Sequence, residues 1–544
     1  MSSRHHYYLK TIISLLIIAA AAAGLAASFK KDKAVYIQIQ ESSRPALIPP
    51  SPATLALSTP FNNNLKIQET NFPDRICNIK DYGAASGGKT LNTKAITEAV
   101  YDCARQGGGK VEVPTGLWLT GSIHLMSNID LDVAKGATLL FSTDPTDYLP
   151  VVFSRFEGIE YYNYSPPIYA QDVQNVALTG QGQINGQGEK YWWAMSSDGA
   201  IAQLYSMGEK NVPVDQRVFG VPKNGLRPAF VEFVNCDRIL VNGVTLINGP
   251  MWTIHPLYSH NVIVKNVNIQ TEKGPSTDGV DIDSSKNVLV ADSTFTTGDD
   301  AISIKSGRDN DGRRVDKPTE NVVLKNNFVN NAHGAIAIGS EMSADVRNVL
   351  AKNFTIDQAQ YGFRVKSNIQ RSGTAENIWI EDMNIDSVSQ AVIQFNTDYE
   401  KGNIKYTLQP PTFQNIHIEN VACKNTGAAL NFIGITGEDS ISNIDLKNVT
   451  VTKSRDGLQM NDAQNITLDN VSLAPKYGPT YDIDNSSDIT LTNSNCSLSA
   501  NNFICLSVTG AASKNIQLTG DDFENKIKTI QIGPEVSEDE VKMN

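Results

Sequence analysis

Acidic and basic side chains recur at regular intervals between Gly274 and Lys366, and they are of the types that acid–base chemistry needs. The six candidates lie in short strand-like segments and are Asp278, Asp299, Asp300, His333, Arg364 and Lys366. Asp278 and Asp300 are 22 residues apart, about one unit of the repeat described below. If successive repeats stack, these side chains become neighbours on one surface although they are distant in sequence.

A cluster of three carboxylates can divide into an acid and a base. Like charges held close together raise at least one pKa, so a neutral carboxyl and a carboxylate coexist near neutral pH. Glycosidic hydrolysis requires such a pair, one group to protonate the leaving oxygen and one to activate water or attack. A single Asp in such a motif often only caps a turn, and we assign turn or ladder bonding to Asp281 or Asp283. The joint occurrence of Asp278, Asp299 and Asp300 favours a catalytic site.

The two cations of the stretch predict an acidic ligand. Arg364 and Lys366 alternate along a strand and therefore share a face, where they either clamp a carboxylate or face solvent. His333 stands between Ala332 and Gly334, whose small size leaves its ring clear of the backbone. The formal charge of −12 argues against nucleic acid or an anionic membrane as a general partner, so an acidic ligand must be held by a local cluster of cations.

A repeat that begins with Asn or Asp and continues with alternating Val, Ile or Leu dominates the chain. It recurs at intervals of 22 residues or more, starting at Asn175, Asn261, Asn287, Asn321, Asn348, Asn377, Asn415, Asn443, Asn465, Asp488 and Asn515. Period-two strands at this spacing indicate a solenoid, and Asn suits the tight turn between strands. We predict an all-β fold, a single-stranded right-handed parallel β-helix. A leucine-rich repeat is the alternative, but its Leu spacing is absent.

A helix and three non-repeat segments complete the predicted organisation. Residues 92–107 place a potential N-cap, Asn92, before apolar residues at helical spacing, which predicts a short N-terminal capping helix over the open end of the sheet. Residues 1–28 have the pattern of a secretory signal peptide, with an uncleaved membrane anchor as the alternative. We further predict a linker or strap at 29–73, the β-helix domain at 74–532 and a frayed acidic tail at 533–544. The mature protein is then exported, to the periplasm or the medium, without a membrane partner.

The six cysteines are too sparse for a disulfide scaffold and lack the close-set pairs of a zinc site. In an exported protein Cys77 could pair with Cys103, and Cys496 with Cys505. Buried free thiols are the alternative for all four.

The order of the charged motifs resembles that of the polygalacturonases of glycoside hydrolase family 28. The likeness covers roughly Arg75 to Leu518. It rests on Thr-Asp278-Gly, Gly-Asp299-Asp300, His333-Gly with a following Ile-Gly-Ser, and Arg364-Val-Lys366. The resemblance implies a right-handed parallel β-helix that hydrolyses the α-1,4-linked galacturonan of pectin, with inversion and without a metal or other cofactor. The expected partner is a pectic polysaccharide or oligogalacturonide.

The resemblance also separates acid from base, which spacing alone cannot do. It implies that Asp299 is the general acid, that Asp278 and Asp300 activate water, and that His333 supports the acid.

Substrate contacts follow from the same resemblance. Arg364 and Lys366 would bind the uronate carboxylate, and Tyr399 resembles an aromatic substrate contact. Ser276 and Ala332 stand where the family usually has Asn and Gly, so contacts or loop geometry near them are expected to differ.

Two long insertions bear on the mode of attack. The segment after Ser306 and the Gly339-Ser-Glu-Met motif resemble bacterial enzymes with exo action, and the stretch from Trp192 to Gly225 could wall off one end of the groove. We therefore predict exo rather than endo cleavage. The alternatives are a rhamnogalacturonan hydrolase, a β-helix pectate lyase, which would normally enlist calcium, and a non-catalytic carbohydrate-binding β-helix.

Overall fold

The chain winds as a helix of short parallel strands. The structure is a computed structural model that describes residues 53–195, 197–221, 224–400, 410–520, 523 and 527–543. The predicted signal peptide and residues 29–52 of the predicted strap lie outside this range. Three sets of strands each pair in order along the chain and in parallel; they run from Ile168–Gln171 to Ile302–Lys305, from Gln174–Gly180 to Lys286–Ala291, and from Gln183–Asn185 to Thr294–Thr296. Within these three sets each strand pairs with the third one after it in the chain, which produces a coil with three strands per turn.

The first strands and those of the early coils are β1 Thr54–Thr59, β2 Asn62–Gln68, β3 Ile76–Asn78, β4 Gly109–Val113, β5 Gly116–Thr120, β6 Ile123–His124, β7 Ile129–Val133, β8 Ala137–Phe141, β9 Val152–Phe156, β10 Ile159–Asn163, β11 Ile168–Gln171, β12 Gln174–Gly180, β13 Gln183–Asn185, β14 Val231–Val234, β15 Asp237–Asn242, β16 Thr245–Ile247, β17 Ile254–Leu257, β18 His260–Lys265, β19 Asn268–Gln270, β20 Val280–Asp283, β21 Lys286–Ala291, β22 Thr294–Thr296 and β23 Ile302–Lys305. The later strands are β24 Thr319–Gly339, β25 Val346–Lys366, β26 Thr374–Asn396, β27 Thr412–Ile433, β28 Ile441–Asn461, β29 Gln464–Pro475, β30 Tyr481–Asp484, β31 Ser487–Thr492, β32 Leu506–Thr509, β33 Lys514–Thr519, β34 Ile530–Ile532 and β35 Val541–Met543. The α-helices are α1 Thr93–Arg105, α2 Asp198–Glu209 and α3 Asp309–Val315, and short 3-10 turns span Ile79–Tyr82, Pro145–Tyr148, Gly188–Lys190, Trp192–Ala194, Val214–Gln216, Ile527–Thr529 and Glu538–Glu540.

Each coil buries its β-branched residues in the lumen of the helix. From β24 to β28 a whole coil is one continuous strand of 21 to 23 residues. Register places Val322, Val349, Ile378, Ile416 and Ile444 directly above one another, and all five are fully buried. Burial of such a side chain stabilises the fold by roughly 1.5–3 kcal/mol, so the repeat predicts the core directly. The predicted parallel β-helix is confirmed.

The recurring Asn residues mark the turns between strands. Every one of the eleven repeat-initiating residues has a left-handed φ, between 52° and 60°, a conformation that Asn and Asp tolerate better than other side chains. Their amides also bond one another across coils: Asn321 donates to Asn287 over 3.0 Å, and Asn348 donates to Asn321 over 3.1 Å. The repeat therefore encodes a turn and a side-chain ladder together.

The predicted capping helix is present as α1. Its buried residues are Ala95, Ile96, Ala99, Val100 and Cys103, the positions that the helical spacing selects. The Asn92 side chain, which was predicted to cap the helix, instead bonds the backbone of Ala85 and Leu119. These bonds tie the short loop before the helix to the first coil.

Two terminal segments are more ordered than the sequence predicts. Strands β1 and β2 form an antiparallel hairpin within the predicted strap, and Leu65 and Ile67 are buried against Ile263 and Leu289 on the outside of the sheet. The predicted frayed tail includes β35, which pairs with β33 and adds a last rung. Two acidic residues of this tail support the rung, because Glu535 and Glu540 accept hydrogen bonds from the backbone N–H groups of Gly510 and Asn515.

The cysteines divide between the two alternatives. Cys496 and Cys505 form a disulfide, whereas Cys77 and Cys103 are buried free thiols. Within the described residues, no helix is both long and apolar enough to cross a membrane.

Candidate active site

Four consecutive coils carry the six charged candidates to one place. Asp278 precedes β20, Asp299 and Asp300 occupy the turn between β22 and β23, His333 lies in β24, and Arg364 and Lys366 end β25. Parallel register fixes this alignment, since Val280 pairs with Ile302, Ile302 with Ile336, and Gly339 with Lys366. The stacking predicted from the 22-residue offset is present, and all six side chains belong to one cluster.

His333 links an acid to a cation. Its Nδ1 lies 3.2 Å from Asp299 Oδ1, and its Nε2 lies 3.3 Å from Arg364 Nη1. A guanidinium can only donate, so Nε2 accepts and the ring proton is assigned to Nδ1, which donates to Asp299. The imidazole thus holds Asp299 in a fixed orientation.

Asp278 and Asp300 are both buried, but their ionisation is driven in opposite directions. Burial, reinforced by the charge of Asp299, raises the pKa of Asp278 well above its usual range. Burial also acts to raise the pKa of Asp300, but Lys366, Arg364 and His333 outweigh it and hold that pKa below its ordinary value. The site therefore favours a proton on Asp278 and a charge on Asp300.

A serine hydroxyl and a lysine fix these two carboxyls. Ser303 Oγ lies 3.1 Å from Asp278 Oδ2 and 3.4 Å from Asp300 Oδ2. Lys366 Nζ donates to Asp300 Oδ2 over 3.1 Å, with 7% and 1% of the two side chains exposed. Asp300 is thus held by an ion pair that water scarcely reaches.

Asp299 is the accessible member of the three carboxylates. Its side chain is 32% exposed, against 1% for Asp300. The backbone N–H of Asp300 donates to Asp299 Oδ1 over 3.0 Å. A substrate oxygen approaching from the groove therefore meets Asp299 first.

Aromatic rings surround the cationic pair. The Arg364 guanidinium lies 4.2 Å from the ring centre of Tyr361 and 5.5 Å from that of Tyr399, and Lys366 Nζ lies 5.2 Å from Tyr399. Cation–π contact at these distances orients both charges toward the groove. Tyr399 stands where the sequence predicts an aromatic contact. Tyr361 was not predicted, because a spacing of three positions from Arg364 on a regular strand places the two side chains on opposite faces.

A second charged cluster lies behind the carboxylates and was also not predicted. Lys305 Nζ is 3.2 Å from Glu341 Oε2 and 3.8 Å from Asp281 Oδ1. Burial, together with the charge of Asp278, raises the pKa of Asp281 well above its usual range. Neither carboxyl oxygen of Asp281 has a hydrogen-bond partner among the described residues. The assignment of Asp281 to turn or ladder bonding is therefore wrong, and Asp283 instead forms a buried ion pair with Arg155 at 2.8 Å.

The two long insertions meet beside the site. Arg308, in the segment after Ser306, packs its guanidinium 3.9 Å from the ring centre of Tyr205 on α2 and donates to the Tyr205 hydroxyl over 3.0 Å. Arg308 also lies 3.3 Å from Glu157 of the β9–β10 hairpin and 3.7 Å from Glu341. The insertions and the hairpin thus form one wall, joined to the charged cluster behind the active carboxylates.

Asp299, Asp300 and His333 present donor atoms within 4.8 Å of one another, the arrangement of a potential metal site. Lys366 already donates to Asp300, and Arg364 contacts His333. A divalent cation would have to displace or repel both fixed charges, so these residues fit a metal poorly.

Comparison with known proteins identifies relatives over most of the chain. Residues 103–470 match the family model described as glycosyl hydrolases family 28. A protein named probable polygalacturonase from Vitis vinifera is 29% identical over 385 residues, covering 69% of this chain and 73% of that protein. An exo-poly-alpha-D-galacturonosidase from Dickeya chrysanthemi is 28% identical over 457 residues, covering 76% and 74%.

Solved structures show the same relationship. A hyperthermoactive exopolygalacturonase from Thermotoga maritima superposes with a TM-score of 0.68 and 37% identity, covering 74% of this chain and 93% of that one. A family 28 exopolygalacturonase from Yersinia enterocolitica shares the fold, with a TM-score of 0.62, 22% identity and coverage of 84% and 80%.

Proposed function

The chain belongs to family 28 of the glycosyl hydrolases, and on that premise we propose that it hydrolyses the α-1,4-galacturonosidic bonds of polygalacturonan and pectin. One observation carries the proposal beyond membership. A carboxyl that tends to keep its proton, Asp278, and one that tends to lose it, Asp300, lie beside the accessible Asp299 and a buried cationic pair. With Asp300 as the base, Asp299 as the acid and the cations as partners for a uronate, this is the combination needed to cleave a glycosidic bond in an anionic polymer.

We propose a single displacement with inversion, as the family resemblance implies. A water molecule on the side of Asp278 and Asp300 loses its proton to Asp300 as its oxygen bonds to the anomeric carbon. The bond from that carbon to the leaving oxygen breaks, and the leaving oxygen takes the proton of Asp299. The His333 Nδ1–H then stabilises the Asp299 carboxylate that forms, which is the support proposed for this residue.

The cationic pair accounts for the choice of an acidic sugar. Arg364 and Lys366 are 2% and 6% exposed, and they lie against aromatic faces at the edge of the groove. A uronate carboxylate that enters replaces lost hydration with charge-assisted hydrogen bonds. The Tyr399 ring lies against both cations and would also pack on the sugar that carries this carboxylate.

We also propose that cleavage is exo. The wall formed by α2, the β9–β10 hairpin and the segment after Ser306 is held together by Arg308, Tyr205 and Glu157. A wall at the side of the site would stop the polymer from passing through, so that only a chain end can enter. The names of the Dickeya and Thermotoga relatives agree with this mode.

Export is a separate proposal, because it rests on the sequence of residues 1–28 alone. The apolar run and the small residues that follow it have the form of a cleavable signal. A polymer of the plant cell wall is met outside the cell, so export suits the proposed substrate. Fractionation of expressing cells, with N-terminal sequencing of the product, tests it: protein retained in the cytoplasm with Met1 intact would contradict export.

Incubation with polygalacturonate and chain-length analysis of the products tests activity, substrate and mode together. We expect saturated galacturonic acid or a short oligomer from the first time point, while the polymer shortens slowly. Unsaturated products would indicate a lyase, and a fast fall in viscosity would indicate endo action. Asp299→Asn should lower kcat about 10²- to 10⁴-fold, whereas Asp292→Asn, an exposed Asp of a turn ladder, should leave it unchanged.

A further inference from the structure

Three exposed apolar side chains lie on neighbouring turns of the last coils. Phe503 is 71% exposed, Tyr477 44% and Leu498 43%, whereas large apolar side chains are mostly buried in folded proteins. Tyr477 belongs to the turn before β30, and the other two belong to the loop between β31 and β32. We call these three residues the distal patch. Exposed apolar residues that share one surface mark a binding site, whereas single ones do not.

The loop of the distal patch is tied down before any ligand binds. The Cys496–Cys505 disulfide closes this loop at its base. Ser499 Oγ donates to the backbone carbonyl of Lys476 over 3.2 Å, which joins the loop to the turn that carries Tyr477. The loop and the turn therefore form one surface, and a ligand that binds there has little conformational entropy of the protein to overcome.

Parallel register places the distal patch on the same side of the β-helix as the catalytic turn. The turn of Asp299 and Asp300 precedes β23, just as the Tyr477 turn precedes β30. These strands belong to one stack, in which the paired residues are Ile302, Ile336, Phe363, Ile393, Leu430, Leu458, Tyr481 and Leu506. Six coil spacings of about 4.8 Å separate Ile302 from Tyr481, so the patch lies roughly 30 Å from the catalytic turn. It is thus outside the active site but in line with it.

The wall beside the active site leaves this direction open. Helix α2, the β9–β10 hairpin and the segment after Ser306 all come from the coil of the catalytic turn or from earlier coils. A polymer whose end lies at Asp299, and which this wall stops, is expected to continue across the later coils. The distal patch lies at the end of that path.

Exposed cations accompany the aromatic side chains. Lys453 and Lys476 are exposed, and within the described ranges of the chain neither forms an ion pair. Lys476 Nζ lies 4.7 Å from the ring centre of Tyr477. The Tyr477 N–H donates to the carbonyl of Arg455 over 2.9 Å, which joins the two turns that carry the lysines. Arg455 itself pairs with Asp456 at 2.7 Å, so the unpaired positive charge is that of the two lysines.

A uronate polymer fits this combination. Each pyranose ring has C–H groups on one face, which pack on an aromatic ring, and a carboxylate at its edge, which an ammonium binds. We propose that the distal patch, with Lys453 and Lys476, binds the stretch of galacturonan that extends from the chain end held in the active site. This inference rests on the proposed hydrolysis of galacturonan. Attachment at two places raises the effective concentration of the substrate, so the protein should bind long chains more tightly than short ones.

The test measures binding by the catalytically blocked variant Asp299→Asn. Isothermal titration calorimetry compares polygalacturonate with trigalacturonate, which is too short to reach the distal patch. The additional change Phe503→Ala should raise the Kd for the polymer at least fivefold and lower the ratio of trimer Kd to polymer Kd by the same factor. Phe503 is exposed, so its truncation leaves the core intact. Ile76→Ala removes a side chain that is 63% exposed on β3, at the opposite end of the β-helix, and as the matched control it should keep the ratio of Asp299→Asn.

The two lysines provide a second, independent variant. Lys453→Gln combined with Lys476→Gln should also raise the polymer Kd at least fivefold at low ionic strength. At a salt concentration of about 1 M, where charges are screened beyond about 3 Å, the same changes should have little effect. Lys514→Gln, at an exposed position of β33 in a different stack of strands, controls for the loss of a surface charge and should leave the polymer Kd unchanged.

The possible outcomes separate this inference from the proposed function. Unchanged polymer affinity in both Phe503→Ala and the lysine variant would overturn the inference and leave the proposed hydrolysis standing. A wild type that sediments as a dimer, with a Phe503→Ala variant that sediments as a monomer and keeps full polymer affinity, would assign the patch to contact between copies of this chain and would also overturn the inference. Binding that Phe503→Ala weakens, without any cleavage by the wild type, would support the distal patch and refute the proposed hydrolysis.

Discussion

Removal of the Lys366 charge should damage the enzyme in two separable ways. Lys366 Nζ donates to Asp300 Oδ2 over 3.1 Å inside a pair that is almost fully buried, and it lies 5.2 Å from the Tyr399 ring where the uronate would bind. The variant Lys366→Met keeps the length and the apolar stem of the side chain. It therefore removes the ammonium and little else.

The expected magnitudes follow from burial. A hydrogen bond to a charged group contributes about 1.5–3 kcal/mol, and each 1.36 kcal/mol is a factor of ten. Loss of one such bond to the uronate should lower kcat/KM about 10- to 150-fold. Breaking a buried ion pair from one side also destabilises a fold by about 3–5 kcal/mol, so the urea midpoint should fall.

The pH dependence distinguishes the role of Lys366 toward Asp300 from simple substrate binding. Lys366 is the main cation that holds the pKa of Asp300 down against burial. Without it that pKa rises, so the base is protonated at a higher pH and the acidic limb of the kcat/KM profile moves upward. In the wild type, the stability linked to Asp300 is present above its unfolded pKa of about 4 and is lost as pH falls through the lower folded pKa. The variant should lose this contribution at neutral pH.

The assay is a pH series of initial rates on polygalacturonate for the wild type, Lys366→Met and Lys352→Met. Lys352 lies on the same strand, but it is half exposed and pairs with Glu381 on the surface, an arrangement worth about 0–1 kcal/mol. The control should therefore keep both the rate and the profile. An acidic limb that stays in place in Lys366→Met would refute the electrostatic reasoning, even if the rate falls.

Three further predictions concern stability, mode of attack and metal dependence. Asp278→Asn should abolish activity yet raise the urea midpoint at pH 7. Burial and the charge of Asp299 raise the folded pKa of Asp278, so the free energy of folding that Asp278 costs grows as pH rises above about 4. An equal gain in the urea midpoint at pH 3 would contradict this. Arg308→Ala should loosen the wall around Tyr205 and Glu157 and add longer oligomers to the products of polygalacturonate, and an unchanged product pattern would show that the wall does not depend on this residue. Treatment with EDTA should leave at least half of the activity, because Lys366 and Arg364 already contact the residues of the potential metal site. A complete loss of activity that calcium restores would count against the mechanism.

Local periodicity explains why so much of the fold could be predicted. Alternating Val and Ile residues define the buried face of each strand, and the turn Asn requires only a left-handed φ, so both features are written in a few adjacent residues. Helix α1 is equally local, and its five buried positions follow from its spacing. The site followed from the same regularity, because a 22-residue offset equals one coil and places Asp278 near Asp300.

What escaped prediction depends on contacts between segments of unrelated sequence. Arg308 meets Tyr205 although 103 positions separate them in sequence, and no periodicity links them. Lys305 and Asp283 could have been predicted to be neighbours, because register pairs them at the same 22-residue offset. Their ion-pair partners Glu341 and Arg155 could not, because both come from outside the repeat. The opposite pKa shifts of Asp278 and Asp300 could not be predicted either, because they depend on which carboxyl the Lys366 ammonium contacts.

The balance of charge in the site explains how a protein with a net charge of −12 can recognise a polyanion. At physiological salt, charges act over about 8 Å, so the overall charge is largely screened while a buried cation acts strongly on what touches it. Lys366 is balanced by Asp300, Lys305 by Glu341, and Arg308 by Glu157.

Arg364 differs from these three cations. In the part of the chain that the structure describes, it forms no ion pair, and its buried Nε has no hydrogen-bond partner. Its guanidinium contacts His333 and the faces of two tyrosines, and its charge acts on Asp300 without a direct ion pair among the described residues. A buried cation without a directly paired carboxylate is costly, and a substrate carboxylate would reduce that cost on binding. We therefore expect Arg364, more than the net charge of any surface, to select an acidic sugar.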